Sequence, residues 1–238
     1  MKAILLSAMM LFPLGASAQS DTLYTKSDKP VVITPIKHGT LQIEYNGKNI
    51  HVDPVTQLPP VTDYSKFAKA DYIFVTHEHF DHLDVKAIEQ LTKEGTVIVA
   101  NPNSAQQLTE AISMKNGEEK EFKDMKVEAV PAYNNSADKQ QFHSKGRDNG
   151  YVLTIDGLRI YIAGDTEDIP ELADLKDIDV AFLPCNLPYT MTPEQLAKAA
   201  KTIQPKVLYP YHYSETKIEK VVELLKDSGI EVRIRNFQ

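Results

Sequence analysis

The sequence predicts a layered α/β fold in which two sheets pack inside and helices lie outside. Short apolar runs rich in β-branched and aromatic residues alternate with stretches of helical periodicity. The second half repeats the materials of the first in a similar order, and each half holds a tight-hairpin dipeptide between two strand-like runs, Asn46-Gly47 and Asp156-Gly157. Strands with flanking helices in both halves suit such layers. Periodicity alone leaves a doubly wound single sheet as the other arrangement.

Taken in order, residues 1–18 stand outside this scheme. "MKAILLSAMMLFPLGASA" has one lysine, an apolar run short for a bilayer and interrupted by Pro13 and Gly15, and a closing Ala16-Ser17-Ala18. That small-x-small ending suits signal peptidase, so we read a cleaved export signal followed by one domain over residues 19–238, periplasmic or secreted. The polar "QSDTLYTKSDKP" that follows is expected to be loosely held. "LQIEYNGKNIHVDP" reads as two strands around Asn46-Gly47, and "ADYIFVT" as a third strand. A helix in "HLDVKAIEQLTKEG", stopped at Gly95, leads to the strand "TVIVA". A second helix is expected around "SAQQLTEAI", then a paired region, "KEFKDMKVEAVPA", turning at Lys123-Asp124.

The second half opens with the hairpin "YVLTIDGLRIYIAG" and the strand "DVAFLP". "TPEQLAKAAKTI" carries a capping box, with Thr192 as cap, Pro193 first and Gln195 reaching back. "KVLYP" is a strand, "KIEKVVELLKDSG" a helix ended by Gly229, and "EVRIR" a last strand.

The chain holds 26 basic and 33 acidic residues, and losing Lys2 with the signal leaves a formal charge of −8. This balance argues against tight, nonspecific binding to nucleic acid or anionic membrane and favours a small-molecule substrate. The single cysteine, Cys185, excludes an intrachain disulfide, so stability rests on the core.

Chemistry concentrates in "THEHFDH", residues 76–82, which places three of the seven histidines beside two acids. In extended backbone, residues at i and i+2 point the same way, so His77 and His79 can converge on one ion. Asp81 and His82, entering the helix, turn toward a neighbouring point. Imidazole with carboxylate suits zinc, and also manganese or iron. A solvated histidine-rich turn is the plain alternative for such a stretch.

His77-x-His79-x-Asp81-His82 after an apolar strand resembles the metallo-β-lactamase-fold hydrolase superfamily. "DYIFVTHEHFDH", "YIAGDT" and "VLYPYHY" follow the family's order across nearly all of residues 19–238. The resemblance implies a four-layer αββα sandwich and two divalent ions, zinc first. It assigns Asp165 of "AGDT" as the carboxylate bridging both ions and His212 of "PYHY" as completing the second set. Gly164 leaves room for the turn that would aim Asp165 inward. The family usually places a further histidine just after a strand such as "KVEAVPA", where this chain has Tyr133, Asn134 and Asn135. A branch resembling "PAYN…FH.KG…GY" assigns that role to His143; read by itself, His143 is a histidine on a polar loop over the site.

The expected activity is hydrolysis by a metal-bound hydroxide, with Asp81 or Asp165 holding the ions and the nucleophile. An iron-dependent oxidoreductase or dioxygenase on the same scaffold, and a noncatalytic metal-binding protein, are the rival classes. Asp53 is a candidate to accept a proton from the far nitrogen of a ligating histidine, or an ordinary Asp-Pro turn. His38 and His51 are read as exposed strand-end histidines, with a place at the rim as the other reading. Glu78 should face away from the ligands and be structural, and Cys185 should be small and buried. Lys145, Arg147, Tyr189 and Tyr211 are candidates for substrate contact.

Overall fold

A computed structural model describes residues 19–237; the export signal expected over residues 1–18 lies outside the described residues. Two seven-stranded sheets, counted among these residues, face each other. The first runs β1 (Asp21–Tyr24), β2 (Pro30–Lys37), β3 (Thr40–Tyr45), β4 (Lys48–Val52), β5 (Tyr72–Val75), β6 (Val97–Ala100) and β7 (Ile112–Ser113). The second has β8 (Glu119–Glu121), β9 (Lys126–Ala132), β10 (Asp148–Ile155), β11 (Leu158–Ile162), β12 (Val180–Pro184), β13 (Val207–Tyr211) and β14 (Glu231–Val232), again in chain order across the sheet. In each sheet the first four strands pair antiparallel and the last four parallel. The two halves thus match in pairing as the sequence suggested.

Strand alternation sorts the core. On β5, Tyr72 and Phe74 join the large cluster between the sheets, while Ile73 and Val75 join a second cluster under α1 (Val85–Leu91). The helix α3 (Pro193–Ile203) buries Leu196, Ala197, Ala200 and Ile203 against the other sheet, and α4 (Glu219–Leu225) lies beside it. This is the layered α/β sandwich. Both hairpin dipeptides turn in the left-handed region, Asn46 at φ 49° and Gly47 at 72°, Asp156 at 46° and Gly157 at 79°. Thr192 and Gln195 form the expected reciprocal cap of α3, and Cys185 is buried. No helix among the described residues is long and apolar enough to cross a membrane.

Four local expectations need correction. The segment after residue 18 is not loose: β1 pairs with β2, and Asp21 accepts from Arg235 Nη2 at 2.7 Å and from Tyr209 Oη at 3.0 Å. Asp84 caps α1 by accepting from the Lys86 and Ala87 N–H groups, so Asp81 and His82 sit in the turn before the helix rather than in it. The second helix is one turn, α2 (Pro102–Ala105), started early by the Asn101 cap and Pro102 at its first position. The closing strand pairs only over Glu231–Val232.

His51 is buried rather than exposed. Its ring lies edge-on to Tyr64 and Phe67, and neither ring nitrogen meets a hydrogen-bonding partner among the described residues. Burial lowers its pKa to about 4. The unfolded chain takes up the proton near 6.5 and the native one only near 4, so stability falls as pH drops through that window. Between pH 7.5 and 5 the cost from this group is about 2 kcal/mol. Denaturant unfolding at the two pH values should show a pH dependence shallower by about that amount in His51→Phe; an unchanged slope would place the acid sensitivity elsewhere.

Candidate metal centre

All the motif residues come together where the two sheets present their strand ends. His77, His79, Asp81 and His82 follow β5, His143 lies in the 133–147 connection, Asp165 follows β11 and His212 follows β13. His77, His79 and His143 form one group whose ligand atoms all lie within 4.8 Å of one another; His38, Asp81, His82 and His212 fall in a second, and His77, His82 and Asp165 in a third that joins them. Asp165 stands between the groups. Its Oδ2 is 3.4 Å from both His143 Nε2 and His212 Nε2, and its Oδ1 is 3.4 Å from His82 Nε2.

Local backbone makes this convergence possible. Gly164 turns at φ 64°, and a Cβ there would stand 2.8 Å from Asn149 O and 3.1 Å from Thr76 Cβ, so no larger residue could bring Asp165 to this place. The buried Asp53 carboxylate receives His82 Nδ1–H at 2.8 Å, Thr76 N–H at 2.8 Å and Thr76 Oγ1–H at 2.7 Å. With its proton given to Asp53, the Thr76 hydroxyl accepts from His77 Nδ1 at 3.0 Å. Behind His143 Nδ1 stands Asp148 Oδ2 at 3.3 Å, itself gripped by Arg147 at 2.6 and 2.8 Å.

The residues fit metal ions on two counts. With metal–nitrogen distances of about 2.0–2.1 Å, two imidazoles on one tetrahedral ion hold their ring centres about 5 Å apart. The centroids of His77, His79 and His143 are separated by 4.6, 4.9 and 5.1 Å, and those of His82 and His212 by 5.0 Å. Second, His82 Nε2, His212 Nε2 and Asp165 Oδ1 are buried with no hydrogen-bonding partner among the described residues, a costly condition that a cation between them would relieve.

Electrostatics agrees. Burial disfavours a charged His82, yet the carboxylates of Asp165, Asp81 and Asp53 outweigh it and push the ring up to about 10. The cluster therefore demands a positive charge at this point. Burial also opposes ionisation of Asp81, but His82, His212 and His38 hold its carboxyl far below the usual range. Burial, reinforced by neighbouring imidazoles, keeps His77 well below 6.5 and His143 near 4. Neutral rings are what a metal requires.

His38 belongs to this site, contrary to its reading as an exposed strand-end residue. Its Nε2–H donates to Asp81 Oδ2 at 3.0 Å and its ring lies 3.7 Å from that of His212, centroid to centroid. That spacing is too short for two ligands of one ion, so His38 is placed to orient Asp81 rather than to join the ligand set. Its signal was hidden because the chain fixes it by backbone alone: His38 N–H donates to Phe237 O, and His38 O accepts from His212 N–H at 3.0 Å. Gly39, also unremarked, lets His82 lie flat, since a Cβ there would stand 2.8 Å from His82 Cε1.

The remaining candidates separate. Glu78 lies outside the ligand groups but lines the cavity over the cluster, accepting from Asn101 and Asn103. Arg147 is tied to Asp148, and Lys145 to Glu171 at 2.7 Å. Tyr211 is fully buried, its hydroxyl donating to Gly164 O at 3.3 Å, and does not reach substrate space. Tyr189 lines a cavity of about 610 Å³ over the cluster.

Comparison with known proteins now bears on the site. The family model for the beta-lactamase superfamily domain matches residues 32–212. The chain belongs to this superfamily of metal-dependent hydrolases. A UPF0173 metal-dependent hydrolase of Lysinibacillus sphaericus is 34% identical over 189 residues, spanning 74% of this chain and 82% of that protein. A crystal structure from Parabacteroides distasonis, provisionally named a metal-dependent hydrolase, superposes with a TM-score of 0.91 at 55% identity over 93% of this chain and 100% of that one. Igni18, a metallo hydrolase of Ignicoccus hospitalis, gives a TM-score of 0.72 at 25% identity, over 87% and 95%.

Two substitutions probe the arrangement. Gly39→Ala should displace the His82 ring and weaken retention of divalent metal about tenfold or more, read by competition with a chelator, while the circular dichroism spectrum stays native. His38→Phe should also weaken retention by about tenfold, and His38→Gln, which keeps an N–H near Asp81, should recover most of it. Equal losses in both His38 variants would make the ring a ligand instead.

Proposed function

We propose that this chain is an exported hydrolase working with two divalent ions, zinc in the first instance, on a small substrate. The observation that carries the reading is Asp165, whose two oxygens face the imidazoles of both groups at 3.4 Å. One ion would be held by His77, His79 and His143, the other by Asp81, His82 and His212, with Asp165 shared. Such ions supply Lewis acidity and a bound water acidified to a pKa of about 7.

The chain's own residues do the rest. Asp53 and Asp148 fix the ring orientations of His82 and His143 from behind. Asp81 is held ionised by the imidazoles about it, and its side chain is 20% exposed toward the cavity, where the carboxylate would orient the attacking water by accepting a hydrogen bond from it. The cavity is of a size for a small molecule. The pattern of residues 1–18 supports export, and the acidic balance supports a substrate that is neither nucleic acid nor an anionic membrane.

Metal analysis of protein recovered from the exported fraction, with its N-terminus sequenced, tests this directly. About two ions per chain, falling toward one in His143→Ala, and an N-terminus at Gln19 are expected. One ion or none, unchanged by the substitution, would overturn the two-ion centre; retention of residues 1–18 would overturn export.

A further inference from the structure

Resting on that hydrolase reading, we propose that the substrate carries an uncharged apolar group of several carbons, seated against Phe80, Leu58, Phe142 and Tyr189 beside the metal cluster. Phe80 occupies the turn between His79 and Asp81 with 76% of its surface exposed. Single exposed apolar residues are ordinary and need no explanation. Phe80 is not isolated: Tyr189, 45% exposed, stands across the same cavity, and the Phe142 ring packs edge-on to Tyr189 at 5.1 Å. An apolar wall therefore begins within one residue of two candidate ligands.

This wall is preformed. Leu58 belongs to the 54–62 connection, and the buried Lys37 ammonium donates to the carbonyls of Thr56, Leu58 and Pro60 at 3.1, 2.6 and 3.0 Å. Three bonds to one cation hold this segment over the cluster, so little ordering remains to be done when a ligand arrives. A second cleft of about 540 Å³ shares His38 and Leu58 with the first and continues past Pro59 and Phe237. Together the two give an extended substituent somewhere to run.

Charge decides against an anionic substituent. Among the described residues lining either cavity there is no lysine or arginine, and Glu78 and Glu215 are present. The nearby cations are committed: Arg147 to Asp148, Lys139 to Glu167 at 2.9 Å, Lys145 to Glu171, and Lys37 to its three carbonyls. A carboxylate or phosphate on the substituent would lose water and gain no partner there.

Hydroxamic acids, which chelate metal through one small head group, isolate the contribution of the wall. Calorimetric titration of the metal-loaded full-length protein with acetohydroxamate through octanohydroxamate should show about fourfold tighter binding per added methylene over the first several carbons. Phe80→Ser, at an exposed position, should flatten that series, and an ω-carboxylate on the eight-carbon chain should weaken binding at least tenfold. If acetohydroxamate binds and affinity is independent of chain length, or the ω-carboxylate strengthens it, this inference is overturned while the hydrolase reading stands. If the protein holds no divalent ion, or acetohydroxamate does not bind the loaded protein, the hydrolase reading falls and the inference with it.

Discussion

The site depends on one buried carboxylate. Asp53, at the end of β4, is wholly inaccessible, yet receives three hydrogen bonds, two from Thr76 and one from His82. Its own N–H donates to Phe74 O at 2.9 Å, and its carbonyl accepts from Thr40 Oγ1 at 2.5 Å. One residue thereby joins the ends of β3, β4 and β5 and aims two imidazoles, His82 directly and His77 through the Thr76 hydroxyl. A buried charge so engaged is tolerable because its lone pairs are occupied; removing any partner would leave part of that charge uncompensated. The backbone at φ 43°, unusual for a residue with a side chain, is held in place by the same bonds.

The second sheet answers with a related device. Arg147 grips Asp148, and Asp148 faces His143 Nδ1, so each sheet backs one imidazole with a buried carboxylate. The two halves are locked to each other at the same end. Asn149 N–H donates to Thr76 O at 3.0 Å, and the Tyr151 hydroxyl to Val75 O at 2.9 Å, across the gap between sheets. Glycine permits the approach: a Cβ at Gly164 would stand 3.1 Å from Thr76 Cβ at the end of the first sheet. Packing, hydrogen bonding and ligand placement are therefore one constraint at this edge, and a shift of either sheet would move both ligand groups.

Much of this was legible in the sequence because it is written locally. Asn46-Gly47, Asp156-Gly157 and the Thr192 box act within four residues, and they form as read. The four-residue ligand motif is local too, and its placement follows from one strand end. His143 was harder, since its position depends on a long connection between β9 and β10 rather than on spacing. For His38 the rim was the second reading, and local reasoning could not place it against Asp81, because its position is fixed by backbone bonds to Phe237 and His212, far along the chain. β1, a polar segment, is ordered both by its pairing with β2 and by Arg235 and Tyr209 at distant positions in the sequence. Polar composition predicts looseness only when no distant partner supplies the missing contacts.

The two ligand groups that result are unlike in charge. His77, His79 and His143 are kept neutral by burial and by one another, and the Arg147 guanidinium lies 3.4 Å from His79 Nε2. One proton lies between His77 Nε2 and His79 Nδ1, 3.1 Å apart, so a cation entering there would displace it, and the carboxylates of Asp81 and Asp165 would oppose its charge from outside the three rings. Asp81, His82 and His212 lie among three carboxylates, counting Asp53 behind His82, and this is where His82 is pushed up to about 10. A cation entering this second group must displace a proton, and it gains the attraction of the carboxylates that held it. Acid therefore acts on the two groups over different ranges of pH. It protonates the first only once its buried rings are forced to charge, whereas the proton competing for the second is already in place at neutral pH.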